Sequence, residues 1–406
     1  MTAINPHFGE RLKKFGAYDF SACYNCGNCT SVCSLSNEED SFPREVVRLT
    51  VLGLEDDIES SVKPWLCYYC GECSETCPRN ADPGNLMMSI RRYLISKYDW
   101  TGLSGKFYTS AWWEIGAILF ISIIVLLGFV FFHGEMTTVL TGEGGVKLNT
   151  FAPWRIIEIA DWVIAALLSF FLLSNIVNMY MKIIGSRNDI RIPFKYYFTE
   201  FYNLLFHFVT QWNFSKCETN TTSFWQKVKS GKYNYWLIHF FLMSGYVMLF
   251  TMIVGFLGWF QTDKIYSWYH PQRLFGYYAT FGLITGIIYF AVLRIKKENE
   301  KSKKSHLSDW IFLILLMVTT VTGIGVHLFR IYGMPFATYY TYVIHLMVLI
   351  PMLIIEVPFS KWSHLAYRPF AIYFSMLLKK SVSIENKSPL KWQPELVKDS
   401  FPVHNG

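Results

Sequence analysis

Two cysteine-rich runs near the start of the chain carry the residues best suited to chemistry. The first reads Cys-Tyr-Asn-Cys-Gly-Asn-Cys-Thr-Ser-Val-Cys over residues 23–33, and the second reads Cys-Tyr-Tyr-Cys-Gly-Glu-Cys-Ser-Glu-Thr-Cys-Pro over residues 67–78. Together they hold eight of the nine cysteines. Both have the spacing C-x2-C-x2-C-x3-C, in which three thiolates bind one [4Fe–4S] cluster and the fourth reaches a second cluster. The sequence therefore predicts two [4Fe–4S] clusters.

The crossed pattern divides the eight cysteines into two ligand sets. One cluster is predicted on Cys23, Cys26, Cys29 and Cys77, and the other on Cys67, Cys70, Cys73 and Cys33. Ser34 stands where the first run would normally carry a proline, and this departure removes no ligand. No residue is predicted to be catalytic in its own right.

Zinc and disulfide bonds are the alternatives for these thiols. A structural zinc site typically takes cysteine pairs separated by a longer gap, rather than four closely spaced cysteines in each run. Disulfides suit secreted proteins, whereas residues 1–20 are polar and charged without the apolar segment of a signal peptide. Iron–sulfur clusters are therefore favoured over both.

The composition beyond the cysteines is that of a membrane protein. With 52% hydrophobic and 18% aromatic residues, the chain is not one soluble domain. Six apolar stretches have about the 20 residues that cross a bilayer, at 112–132, 157–184, 235–259, 272–293, 309–330 and 338–360. The predicted fold is mostly α-helical, with a two-cluster ferredoxin-like head at 1–105, a six-helix transmembrane bundle at 106–378 and a tail at 379–406.

Lysine and arginine predict the orientation of these spans. The connections after the second and fourth spans are rich in both, so by the positive-inside rule they face the cytoplasm together with the head and both termini. We therefore expect a multi-pass protein of the cytoplasmic membrane in contact with lipid. The same residues explain the net charge of +7 without a nucleic acid partner. Residues 194–214 carry apolar side chains at three- and four-residue spacing, which predicts an interfacial helix on the cytoplasmic leaflet.

Four histidines in or beside the spans lie at two predicted depths. His239 and His364 lie near the cytoplasmic side, and His327 and His345 lie near the outer side. Ionisable residues inside a membrane commonly mark functional sites, and this sorting predicts two stacked haems with paired histidine ligands. His345 and His364 are 19 residues apart, or about 28 Å along a helix, so one haem cannot use both. Hydrogen bonding between helices is the alternative role for each histidine.

His270 and Arg273 are the candidates for a quinone site. They lie at the outer end of the fourth span and supply a proton acceptor and a cation near the expected outer haem. Interfacial anchoring and a helix-end charge are the competing roles for these two residues.

The last spans resemble those of the nitrate-reductase gamma-type b cytochromes. The match rests on Val-Pro-Phe-Ser-Lys-Trp-Ser-His at 357–364, which follows His345, and on Leu-Ile-His-Phe-Phe around His239. The resemblance implies that His239 and His364 bind a haem. That family has a further histidine ten residues beyond the position of His239, where this chain has Leu249. His327 is the substitute outer ligand that its depth suggests.

Nearly the whole chain resembles the membrane subunits of quinone-interacting membrane-bound oxidoreductase complexes. In that family a head similar to heterodisulfide reductase C is fused to an E-like b-type cytochrome. The residues that carry the resemblance are the second cysteine run, Ala-Asp-Pro-Gly at 81–84, Arg-Arg-Tyr at 91–93 and Phe-Ser-Lys-Cys-Glu-Thr-Asn at 214–220.

The resemblance implies an electron-transfer subunit of an oxidoreductase. It would link menaquinone, through b haem and two [4Fe–4S] clusters, to soluble flavoprotein and iron–sulfur subunits of the same complex and to adenylylsulfate reductase in dissimilatory sulfur metabolism. A heterodisulfide-reductase-like membrane module that serves a disulfide-reducing partner is the alternative within the same chemistry. A redox-sensing or scaffold protein is the alternative of another class, and histidines sorted by depth favour an electron path over it.

Overall fold

Helices dominate the structure, a computed structural model that describes residues 3–37, 40–187, 190–211, 234–298 and 300–385. Within these ranges the chain forms no strand, apart from an isolated bridge between Leu140 and Val146. The mostly α-helical fold predicted from the sequence is confirmed. The segment 214–220 and most of the predicted tail at 379–406 lie outside the described residues.

The described part of the head contains eight α-helices, at Phe8–Lys14, Asn28–Ser31, Arg44–Val51, Glu55–Glu59, Lys63–Leu66, Glu72–Glu75, Pro83–Tyr98 and Leu103–Thr109. The longest, Pro83–Tyr98, begins where Asp82 caps it by accepting a hydrogen bond from the Asn85 N–H at 3.1 Å. Proline suits this first position because its missing N–H would have no helical partner there. The apolar face of the helix is buried against Phe8, Leu12 and Trp65, which makes it the core of the head.

Within the described ranges, six helices are long and apolar enough to cross a membrane, at Ala111–Phe132, Trp154–Gly185, Tyr235–Phe260, Pro271–Lys296, Leu307–Ile331 and Pro335–Phe359. We refer to them as the first to sixth spans. Each covers one of the stretches predicted from the sequence, so the multi-pass membrane architecture is confirmed. The shorter helices Leu148–Phe151, Phe194–Thr199, Phe201–Thr210 and Glu300–Lys303 lie between them.

The sixth span ends before His364. Ser360 leaves the helical conformation at φ −129° and ψ −141°, a 3-10 turn covers Lys361–Ser363, and a new helix runs from His364 to Glu385. His345 and His364 therefore stand on separate helices. The interior prolines Pro351 and Pro358 leave the sixth span assigned as one helix.

The connections after the second and fourth spans both contact the head. Lys182 at the end of the second span pairs with Glu59 at 2.7 Å, and Lys304 after the fourth span pairs with Asp82 at 3.0 Å. The connection after the first span meets the last turn of the fifth span at the other end of the bundle, where the Val146 N–H donates to the Arg330 carbonyl at 3.1 Å. The lysine-rich connections thus lie on the same side of the bundle as the head.

Two carboxylates of the head are enclosed by cations. Lys97 pairs with Glu55 at 2.9 Å and with Glu59 at 3.0 Å, while Tyr93 donates to Glu59 at 2.9 Å. Burial opposes ionisation of Glu59, but the bonds from Lys182, Lys97 and Tyr93 outweigh it and lower the pKa. Because the folded pKa is lowered, the stabilisation is present at neutral pH and is lost as the pH falls through that value.

Replacing Glu59 with Gln should destabilise the protein by about 1–3 kcal/mol, because hydrogen bonds to a charged group are each worth about that much. The measurement is chemical unfolding in detergent followed by tryptophan fluorescence. Glu10→Gln is the matched control, because Glu10 is 77% exposed in its side chain and should change stability by less than about 0.5 kcal/mol. Equal stability of the two variants would contradict the role given to Glu59.

Candidate functional site

The two cysteine runs fold into the same loop. Gly27 and Gly71 follow the second cysteine of their runs at φ +93° and +91°, and Asn25 and Tyr69 precede it at φ +65° and +56°. Only glycine adopts such φ values without strain, and left-handed non-glycine residues concentrate at functional sites. Each loop then enters a short helix that carries the third cysteine. The first three cysteines of each run therefore lie on the same kind of turn.

Backbone N–H groups point at the sulfur atoms of three cysteines. They donate from Asn25 to Cys23 at 3.4 Å, from Tyr69 to Cys67 at 3.3 Å and from Ala81 to Cys77 at 3.3 Å. Such bonds favour the thiolate form of the sulfur and tune the potential of a bound cluster.

The Cys29 thiol of the first run has a cysteine of the second run among its electrostatic neighbours. Burial raises the pKa of the Cys29 thiol, Thr30 lowers it, and the neighbouring Cys23, Cys26 and Cys77 raise it further. Cys77 therefore stands close enough to interact electrostatically with Cys29.

The second set has the reciprocal composition. Burial raises the pKa of the Cys73 thiol, and the neighbouring Cys67, Cys70 and Cys33 raise it further, ahead of a smaller contribution from Cys29. The last cysteine of the first run thus lies beside the second run. The electrostatic neighbours of Cys29 and Cys73 are thus consistent with the crossed pattern, and the two ligand sets stay a prediction.

The donor atoms suit iron–sulfur clusters better than a single metal ion. The eight thiols of the two runs are free of disulfide bonds. Among the described residues, no three Cys, His, Asp or Glu side chains lie close enough to hold one ion. A cluster spreads its cysteines over several irons and prefers soft thiolate ligands. The residues present therefore fit two [4Fe–4S] clusters.

A cavity of about 250 Å³ lies where the head meets the membrane helices. His239 from the third span and His364 line it together, as the depth assignment predicts. His207 lines the same cavity from the helix Phe201–Thr210 and is 5% exposed. Burial, with a contribution from Arg368, lowers the pKa of His207 to about 4. Sequence reasoning missed His207, whose only signal was a polar residue within an otherwise apolar helix face.

Cationic side chains dominate the polar lining of this inner cavity. They are Arg91, Arg92, Arg294, Lys304, Lys361 and Arg368. Asp309 is paired with Lys361 and lies 3.9 Å from Arg92. This excess of positive charge suits an anionic ligand, and the two carboxylate groups of a haem have that chemistry.

His364 has a tautomer that leaves Nε2 able to bind a metal. Its Nδ1 donates to the carbonyl oxygen of Lys361, which can only accept a hydrogen bond. The lone pair of this imidazole therefore resides on Nε2. Metal-binding histidines typically donate their other ring N–H to a backbone carbonyl in this way.

A second cavity, of about 240 Å³, lies at the outer level and is lined by His327 and His345. Thr322 uses its single hydroxyl hydrogen on the Val318 carbonyl at 2.6 Å, so its oxygen accepts from Nδ1 of His345 at 3.0 Å. His345 therefore also carries its lone pair on Nε2. Gly323 lies against the ring, since a Cβ there would approach Cε1 of His345 to 3.2 Å.

His327 has the opposite arrangement. Arg273 donates to its Nδ1 at 2.8 Å, and a guanidinium can only donate. The remaining Nε2–H then faces the Tyr277 oxygen at 3.1 Å. Both nitrogens are engaged, and a neutral His327 could bind iron only after losing the hydrogen bond from Arg273, because one ring nitrogen must bind the metal and the other must carry the proton.

The two residues predicted to bind a quinone, His270 and Arg273, have different surroundings in the structure. Arg273 lines the outer cavity and is 7% exposed, with Nε and Nη2 unbonded among the described residues. His270 caps the fourth span by accepting from the Gln272 N–H at 3.3 Å, and its ring stacks on Tyr266 at a centroid distance of 3.9 Å. His270 is thus engaged in helix capping, and only Arg273 of the two meets the cavity.

Known proteins resemble the head. Residues 19–81 match the family model described as a 4Fe-4S dicluster domain. The head is an iron–sulfur domain. A protein of Archaeoglobus profundus, named as similar to the C subunit of heterodisulfide reductase, is 31% identical over 98 residues, which are 24% of this chain and 52% of that protein.

The C subunit of the H(2):CoB-CoM heterodisulfide,ferredoxin reductase of Methanothermobacter thermautotrophicus is 34% identical over 78 residues, 19% of this chain and 42% of that protein. The chain therefore spans about half the length of the curated relatives it matches. No solved structure matches the chain. The similarity supports an iron–sulfur head like that of heterodisulfide reductase C on a membrane protein.

Replacing Gly27 with Ala should destabilise the first cysteine loop by about 1–2 kcal/mol, because a side chain is strained at positive φ. The added Cβ would also meet Arg44 Nη1 at 3.3 Å. The measurement is the rate at which a chelator removes iron from the purified protein. Gly105→Ala is the control, since that glycine is helical and its Cβ would make an ordinary 3.6 Å contact with Ser96. Equal rates of iron loss would contradict the strain at Gly27.

Proposed function

We propose that the chain is a membrane electron-transfer subunit of an oxidoreductase complex. It would connect a quinone pool, through b haem and two [4Fe–4S] clusters, to soluble flavin and iron–sulfur partner subunits. The observation that carries this proposal is the contact between the second cysteine run and the inner cavity. Tyr68 and Tyr69, between Cys67 and Cys70, line the same cavity as His239 and His364.

The cysteines are assigned as the spacing predicts. Cys23, Cys26, Cys29 and Cys77 would hold the first cluster, and Cys67, Cys70, Cys73 and Cys33 the second. The clusters supply one-electron chemistry, while the protein supplies thiolate ligands, N–H bonds to sulfur and burial. The loop geometry and the reciprocal grouping of the thiols support this assignment.

The inner haem would take His239 and His364 as its axial ligands. The shared cavity, the tautomer of His364 and the cationic lining for carboxylate groups support this choice. His345 has the tautomer for an outer haem. The outer haem on His327 and His345 remains a prediction, because His327 must first lose a protein hydrogen bond.

The outer cavity is also the proposed binding site for the quinone. Quinone carbonyls accept hydrogen bonds, and Arg273 has donors without partners among the described residues, inside an otherwise largely apolar cavity. His270 has less support, since its ring nitrogen caps a helix. Menaquinone is the quinone that the resemblance implies.

The head and the lysine-rich connections would face the cytoplasm. Their position on one side of the bundle supports this orientation under the positive-inside rule. Soluble partner subunits could then dock on the head, and adenylylsulfate reductase is the further partner that the resemblance implies.

A second candidate function is electron delivery to a disulfide-reducing partner. The name of one relative favours it, because that protein is the C subunit of a heterodisulfide,ferredoxin reductase. Co-purification distinguishes the candidates: adenylylsulfate reductase among the interacting proteins supports the first, and a disulfide reductase supports the second.

The purified chain should contain about eight non-haem iron atoms, as two [4Fe–4S] clusters require. Metal analysis and acid-labile sulfide measure this directly, and Cys73→Ser should remove or alter one cluster while sparing the other. Cys217→Ser is the control, because that cysteine lies outside both runs. A zinc-only preparation would reject the iron–sulfur function.

Replacing His364 with Ala should remove the inner haem, because one of its two axial ligands is lost. The ratio of haem to protein, measured from the reduced b-type spectrum, should fall in this variant. His7→Ala, at an exposed position of the head, should leave the ratio unchanged. An unchanged ratio in the His364 variant would reject this ligand assignment.

A further inference from the structure

The main-chain carbonyl of Cys67 accepts hydrogen bonds from two guanidinium groups. Arg91 donates to it from the head, and Arg368 donates at 2.8 Å from the helix that His364 begins. Arg91 also donates to the Pro64 carbonyl at 2.7 Å and so holds the segment that leads into the second cysteine run. Two cations from different parts of the molecule thus meet at one residue of the run.

Arg368 has further contacts that fix its position. Its guanidinium lies 3.8 Å from the ring centroid of Tyr68, the residue after Cys67. It also lies four residues after His364, on the same face of one helix. Arg91, Arg368, Tyr68 and His364 all line the inner cavity. One side chain therefore connects the second cysteine run to the helix that carries a proposed haem ligand.

The surroundings of the first cysteine run differ. Cys26 is exposed, and its neighbour Tyr24 is 59% exposed. In the second run Cys67 and Cys73 are buried, and Tyr68 is 9% exposed. The second run faces the membrane helices, whereas the first run reaches the surface of the head.

We propose that Arg368, together with Arg91, is a positioning residue that raises the reduction potential of the cluster held by the second cysteine run and makes that cluster the membrane-side centre of the head. Reduction adds a negative charge to a cluster, and fixed cations in a poorly solvated site stabilise that charge. The same hydrogen bonds hold Cys67 beside the inner cavity. This inference rests on the proposed iron–sulfur function.

The test is a redox titration of the full-length protein in detergent, followed by electron paramagnetic resonance. Arg368→Gln should lower the midpoint potential of one cluster and leave the other unchanged. Cys26→Ser identifies the signal of the first-run cluster, which should be the unchanged one. Arg368→Lys keeps the charge and should restore part of the shift, which a merely structural role would not do.

Arg44→Gln is the matched control, because Arg44 lies beside Gly27 of the first run. It should leave the potential of the second-run cluster unchanged. Unchanged potentials in Arg368→Gln, or equal shifts of both clusters, would overturn the inference while the proposed function stands. Absence of iron from the unaltered protein would instead reject the proposed function.

Discussion

A carboxylate buried between the head and the membrane helices needs cations within reach, and this requirement helps to hold the two parts of the molecule together. An unpaired buried charge costs several kcal/mol, so each one needs a partner in reach. Asp309, 6% exposed at the start of the fifth span, pairs with Lys361 from beyond the sixth span and lies 3.9 Å from Arg92 of the head. One carboxylate thus joins three segments that are far apart in sequence.

The helix break at Ser360, after the sixth span, lies in the same region between the head and the membrane helices. The hydroxyl of Ser360 donates to Glu114 of the first span at 3.1 Å, and the Lys361 N–H donates to Glu356 at 3.1 Å. These bonds satisfy polar groups that a change of direction would otherwise leave unpaired. The turn then lets His364 begin a new helix beside the inner cavity. The hydrogen bonds of Ser360 and Lys361 therefore help to position His364, a proposed haem ligand.

The sequence was sufficient for the features that depend on local periodicity and spacing. The six spans follow from apolar length, and the iron–sulfur head follows from the C-x2-C-x2-C-x3-C pattern. The end of the sixth span at Ser360, the place of His207 in the inner cavity and the contacts of Arg368 could not be predicted. Each depends on which distant side chains meet in space, and neither hydropathy nor motif spacing contains that information.

Hydrogen bonding distinguishes histidines that their predicted depth in the membrane does not. At the inner level a backbone carbonyl orients His364, and at the outer level Thr322 orients His345, so that both keep an Nε2 lone pair. His327 instead accepts from Arg273 and faces Tyr277. Because a guanidinium can only donate, Arg273 occupies the lone pair of His327. This histidine is therefore part of a hydrogen-bonded chain, unlike His345 and His364, whose Nε2 lone pairs are available. The outer cavity therefore offers hydrogen-bond donors of Arg273 to a polar ligand.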